Sequence, residues 1–262
     1  LLLLLLPVMA QATSLSLLAS DTRLLPGPSM DYWPDPDGLA DIHSVRQLAD
    51  AAWQPVARRD ASFGYSNQAY WLRVTVHNPA DEPINWVLLI GNPLLDKLDA
   101  YGLDGERVYQ AGDQRPFEQR WVDHRQLVLP FSLAAGEERE LILRMQTDGS
   151  ANLSASLMSA QAFNHHEQFM LLLQGLFFGA LLAMMIYNLS LFIVTRDRNY
   201  LWYSLFVASF SLYQFIQLGF ALQWLWPNSL AWQQMSFPFS SALATLFGIL
   251  FTYGILDFKH QH

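Results

Sequence analysis

Trp71 and Arg73 stand two residues apart in the run Tyr70-Trp71-Leu72-Arg73-Val74-Thr75-Val76-His77. In an extended strand that spacing puts both on one face, an indole beside a charged fork of hydrogen-bond donors. Asp96 and Asp99 flank a later apolar segment, and His124 with Arg125 precede another. Trp71, Arg73, Asp96, His124 and Arg125 form the expected ligand-binding group. The ring would take the apolar face of a sugar or a similar small polar molecule, and the charged groups its hydroxyls. The alternative has Trp71 packed beneath a loop and the charges in surface pairs. Either way the chemistry is binding rather than catalysis. The chain carries no P-loop, G-x-S-x-G, H-E-x-x-H, kinase or cyclase signature. Scattered carboxylates do not make a glycosidase, so the chain is not read as an enzyme and no cofactor is expected. His165-His166 lacks a third ligand nearby, so no metal site is assigned. There are no cysteines, which excludes disulfides and thiolate sites.

The elements that would position this group are strands. Leu72, Val74 and Val76 alternate with Trp71, Arg73 and Thr75, the period of a half-buried strand. Asn78-Pro79-Ala80-Asp81 gives a turn, and further apolar segments at 86–90, 96–101, 126–133 and 140–147 are separated by turn residues. One short helix is expected at 44–52. Residues 24–164 thus read as an all-β jelly-roll or β-sandwich domain, large enough for its own core.

Composition changes near residue 165. Residues 21–164 hold 12 Lys/Arg and 20 Asp/Glu, so they carry the whole formal charge of −8. An acidic domain without basic clusters is not a nucleic-acid binder. Beyond it lie three long apolar runs, expected as spanning helices at about 169–194, 200–222 and 235–256 of an all-α membrane region at 169–256. The lipid bilayer is therefore an expected partner. Gly175 and Gly179 form G-x-x-x-G, a helix-packing motif; the preferred reading is packing within the chain, and a homodimer is the second. Asn188, Ser190, Gln214 and Gln217 are read as interhelical hydrogen-bonding groups. No mid-membrane charge marks an ion path.

Two signals give one orientation. Residues 1–12 read as part of a signal peptide, a short apolar core followed by Ala10-Gln11-Ala12. Arg196 and Arg198 sit in the tight loop between the first two runs, and Lys259 follows the third. The positive-inside rule places 195–199 and the C-terminus in the cytoplasm and exports the acidic domain. Trp224, Trp226 and Trp232 then fall at the outer interface, and Tyr200, Trp202 and Tyr203 at the inner one.

The stretch Asp60-Ala61-Ser62-Phe63-Gly64-Tyr65-Ser66-Asn67-Gln68-Ala69 leads into Tyr70-Trp71-Leu72-Arg73. With His77-Asn78-Pro79, Asn92-Pro93-Leu94-Leu95-Asp96 and His124-Arg125, it resembles the periplasmic sensor domain of bacterial seven-transmembrane receptors with diverse intracellular signalling modules. Tyr187-Asn188-Leu189 and Thr195-Arg196-Asp197-Arg198-Asn199-Tyr200-Leu201-Trp202-Tyr203 are similar to the start of that family's membrane region. The resemblance implies a jelly-roll sensor like carbohydrate-binding modules, seven helices, and an output such as a diguanylate cyclase or histidine kinase. Three runs and no output module are present, so the chain is expected to be truncated. The reading is a receptor fragment of the bacterial inner membrane, set against a membrane-anchored carbohydrate-binding or adhesion protein without output.

Overall fold

The computed structural model describes residues 14–18 and 23–256; the leader motif at 1–12, Asp257 and Lys259 lie outside the described residues. The chain forms two compact units. The first comprises most of twelve strands and one short helix: β1 (Leu15–Ser16), β2 (Asp31–Asp35), α1 (Ile42–Arg46), β3 (Gln54–Pro55), β4 (Ala61–Tyr65), β5 (Ala69–His77), β6 (Ile84–Ile90), β7 (Lys97–Asp104), β8 (Arg107–Ala111), β9 (Leu127–Leu133), β10 (Glu138–Gln146), β11 (Ser150–Leu153) and β12 (Ala155–Ser159). β3, β2, β5, β10, β7 and β8 run in that order through one sheet, with β1 also paired to β5. A three-stranded sheet, β12-β6-β9, and the pair β11-β4 complete the sandwich-like arrangement.

Strand parity explains the core. Leu72, Val74 and Val76 of β5 lie level with Leu143, Leu141 and Arg139 of β10, and the five apolar side chains of this set are buried. The other face of the sheet is covered too. There Val45, Trp53, Trp71 and Ile142 cluster, with Trp33, Ala40, Ile42, Leu48 and Tyr101 packed against them. The helix expected at 44–52 is shorter and earlier. Asp41 caps α1, its Oδ1 accepting the Ser44 N–H at 2.8 Å while Ser44 Oγ accepts the Asp41 N–H. A separate 3₁₀ turn covers Asp50–Ala52.

The second unit contains three helices, α2 (Ala160–Thr195, 36 residues), α3 (Arg198–Gln217, 20 residues) and α4 (Leu230–Leu256, 27 residues). Two of them, α2 and α4, are long and apolar enough to cross a membrane. The expectation of three such helices is not supported. α3 begins at Arg198-Asn199 and carries Ser204, Ser209, Ser211, Tyr200, Tyr203, Tyr213, Gln214 and Gln217, which lower its apolarity. It also ends earlier than expected, because Gly219 takes φ +81° and a π-helical turn follows at Ala221–Leu225. Rings mark the packing. Phe178 of α2 meets Phe215, while the Met185 carbonyl accepts from Ser204 at 3.4 Å, so α2 and α3 are antiparallel. Trp202 meets Phe247 and Tyr213 meets Phe237, so α3 and α4 are antiparallel too.

Candidate functional site

Asn92–Asp96 and Ala111–Val128 lie between strands in sequence, yet both belong to the helical unit. The first joins β6 to β7, and the second joins β8 to β9. They are tied together by the Asp113 N–H to the Leu95 carbonyl at 2.9 Å and the Gln114 N–H to the Asp96 carbonyl at 3.2 Å. Gly112 makes this approach feasible. Its φ is +144°, and a Cβ there would lie 2.0 Å from the Asp96 carbonyl oxygen.

The centre of the site is a charge cluster built on α2. Arg125 Nη1 donates to Glu167 Oε1 at 2.7 Å. Their side chains are only 4% and 12% exposed. His124 Nε2 lies 3.2 Å from Glu167 Oε2. The Gln126 N–H donates to His124 Nδ1 at 3.1 Å, which leaves Nε2 as the protonated nitrogen of the neutral ring, toward the carboxylate. Phe163 packs edge-on to His124, and the Arg125 guanidinium lies 5.2 Å from the Phe220 ring centroid. Arg120 Nη1 donates to the carbonyls of His124 and Arg125 and fixes their backbone. Burial holds the Arg125 guanidinium below its ordinary value, with Glu167 opposing. An arginine does not discharge in a protein, so it needs that partner.

Two further contacts join the same segments to the helices. Gly219 stacks under them so closely that a Cβ would lie 2.5 Å from the Arg125 carbonyl oxygen and 2.8 Å from Pro93 Cβ. Gln223 Nε2 donates to Asp123 Oδ1 at 2.8 Å. On α4, Gln234 Nε2 donates to Asp113 Oδ1 at 3.0 Å. Asp113 is buried, as is Asp96. Burial first, then the Asp96 carboxylate, push Asp113 up to about 7, against the amides of Gln234 and Gln233.

The five residues expected to bind ligand separate into two groups. Asp96, His124 and Arg125 are part of this cluster in the second unit. Trp71 and Arg73 belong to the first unit and have structural duties there. Trp71 is 0% exposed, its Nε1 donating to Asp35 Oδ2 at 3.4 Å and its ring stacked on Tyr101. The expected indole platform is therefore corrected: α1 and its neighbours cover that face of the sheet. Arg73 is paired with Asp31 at 3.1 Å and Asp50 at 2.8 Å and lies over Trp53. Gly175 and Gly179 also differ from expectation. A Cβ at either would meet nothing within 4 Å among the described residues, so neither is a close-approach point within the chain. Glu167, Asp113, Gly219 and Gln234 were not singled out by the sequence. Glu167 had one signal, an acidic residue at the head of an apolar run.

A β-sheet unit and a helical unit holding two helices long and apolar enough to cross a membrane make up the described residues. Residues 27–159 match the family described as 7TMR-DISM extracellular 2, and residues 170–262 match 7TM diverse intracellular signalling. The chain belongs to the 7TMR-DISM receptor family, with an extracellular sensor domain, transmembrane helices and a role in signal transduction. It is an inner-membrane protein with its N-terminal domain in the periplasm. No curated protein matches the chain. The solved PA14 domain of the MpAFP antifreeze protein aligns over 50% of this chain and 80% of that one, at 10% identity and TM-score 0.26, too low to carry an argument.

Proposed function

We propose that the protein is a multi-pass receptor that senses a small polar stimulus in the periplasm, and that Asn92–Asp96 and Ala111–Val128 relay it into the helices. The observation that carries this reading is the buried Arg125–Glu167 pair, which fastens a segment lying between two strands to the head of α2. A ligand that favours one arrangement of the β8–β9 strand ends would shift the populations of the helices through it. Sugars remain a candidate class, without the Trp71 ring.

The membrane region has three crossings in this reading. α2 and α4 are each antiparallel to α3 and so run parallel to each other. Two parallel spans require the helix between them to return across the bilayer. A polar helix does this at tolerable cost when α2 and α4 cover it, and Ser204 and Ser211 satisfy their hydroxyls on the Tyr200 and Val207 carbonyls. Arg196 and Arg198 then face the cytoplasm.

The test is a charge swap in the intact receptor, scored by its signalling output in cells. Arg125→Glu and Glu167→Arg should each uncouple output from stimulus, and the double variant should recover it. Full output from both single variants would remove the pair from the relay.

A further inference from the structure

The connection between β3 and β4 carries two opposite charges on one small cavity. Residues 56–60 leave β3, at one end of the large sheet, and cross to β4 of the two-stranded sheet. Two backbone contacts hold the crossing in place. The Val56 N–H donates to the Met30 carbonyl at 2.9 Å. Gly27 sits so close that a Cβ there would lie 2.0 Å from the Arg59 carbonyl oxygen. The cavity has a volume of about 170 Å³, and Tyr32, Val56, Arg58, Asp60, Ser62 and Phe63 are part of its lining. Arg58 is exposed and Asp60 is half-buried. Among the described residues neither side chain has a hydrogen bond or an ion pair, not even with the other.

An aromatic group forms the other part of the lining. By strand parity Tyr32 and Tyr70 lie on the face of the large sheet opposite to Trp71. Phe63 of β4 stacks on Tyr70, with ring centroids 4.0 Å apart, and meets Tyr32 at 4.8 Å. A β-bulge sets Phe63 there. Ser150 lies level with Tyr65 and Asn152 with Ser62, so β4 takes three steps where β11 takes two. Gly64 accommodates the extra residue with φ +73°. Tyr32 Oη donates to Gln54 Oε1 at 2.7 Å, which leaves the phenolic oxygen as an acceptor.

We infer that this cavity binds a small α-amino acid in its zwitterionic form. The inference rests on the sensing reading above and names the class of stimulus. Arg58 takes the carboxylate, and Asp60 with Tyr32 Oη takes the ammonium. Phe63 and Val56 cover the amino acid's own side chain. Charge decides against a neutral sugar, whose hydroxyls need neither ion. Two opposite charges that line one cavity without joining each other match a ligand that carries both. Size decides against an oligosaccharide or a peptide. The cavity lies below the range of about 300–1,000 Å³ that larger ligands occupy. The held backbone and the stacked rings leave little for the ligand to order beyond the two charged side chains.

The experiment is calorimetric titration of the intact chain in lipid nanodiscs at low salt and about pH 7, where both charges are present. The probes are glycine, L-alanine, L-serine, L-threonine, L-valine and L-proline. At least one should bind with a Kd of about 0.1–1 mM, as suits partly exposed charge pairs. The N-acetyl and the amide derivatives of that amino acid each lack one charge and should bind at least about tenfold more weakly. Two variants then assign the charges. Asp60→Asn should no longer distinguish the free amino acid from its N-acetyl form. Arg58→Gln should no longer distinguish it from its amide. Each loss concerns one end of the ligand, which a general loss of fold would not produce. Absence of heat from all six probes, or derivatives that bind as well as the amino acid, overturns the proposal. So does D-glucose or D-galactose competing for the cavity, or variants that keep the parent's preferences. The charge swap at Arg125 and Glu167 is scored by output and leaves these residues unchanged, so its failure would count against the relay and not against the cavity.

Discussion

Arg125 Nη1 and Glu167 Oε1 meet at 2.7 Å across 42 positions of chain, and both side chains are largely buried. Removing one partner strands the other. Glu167→Ala should destabilise the helical unit by about 3 kcal/mol, because an uncompensated buried charge costs more than the pair contributes. Denaturant unfolding of the detergent-solubilised chain measures this. A loss below about 0.5 kcal/mol would show that water reaches Arg125.

Trp71→Ala should destabilise the β-domain by about 3–5 kcal/mol, the usual cost of removing a buried aromatic side chain. Thermal unfolding followed by tryptophan fluorescence would show it. An unchanged midpoint would contradict the burial of the ring.

Gly219→Ala should cost more than about 1 kcal/mol, since a left-handed backbone and a close neighbour both oppose a Cβ. The neighbour is the Arg125 carbonyl oxygen, 2.5 Å from the added atom. Output should fall with stability. A variant as stable and responsive as the parent would mean that the Gly219 turn is free to move.

Asp113 makes stability depend on pH with a definite sign. Its native value is about 7, above the ordinary 3.8. Between those values the folded chain holds a proton that the unfolded chain has released. Stability should therefore fall as pH rises from about 4 to about 7 and level off above. Melting temperatures across that range should decline in the parent and much less in Asp113→Asn.

Orientation has a direct test. A reporter active only in the periplasm should be active when fused at Asn164 and silent at Asp197. The reverse would place Arg196 and Arg198 outside and overturn the positive-inside assignment.

Much of the β-domain was legible in the sequence, because alternation at Leu72, Val74 and Val76 has only one burial solution. The helical runs were legible for the same reason of bulk apolarity. What parity could not show was whether the second face of a sheet is covered, and that decided the fate of Trp71. Exposure of Trp71 depended on α1 (Ile42–Arg46), an earlier segment set in no particular pattern relative to the strand. The charge cluster was half visible. His124, Arg125 and Asp96 stood out as polar groups next to apolar strands, but Glu167, the partner of His124 and Arg125, comes from α2. A pairing such as Arg125 with Glu167 leaves no local periodicity. The limits of α3 were missed because hydropathy averages over the break that Gly219 makes.

The chain passes between its two units five times, at 91/92, 96/97, 110/111, 128/129 and 159/160. This bears on how such receptors can be recombined. A chimera cut once at residue 160 would bring its own 92–96 and 111–128 segments to foreign helices. Those segments would look for an acid at position 167, a glycine at 219 and an amide at 234. A sensor is thus portable only together with the few helix residues that receive it, and swaps that respect the spatial boundary should outperform swaps that respect the linear one.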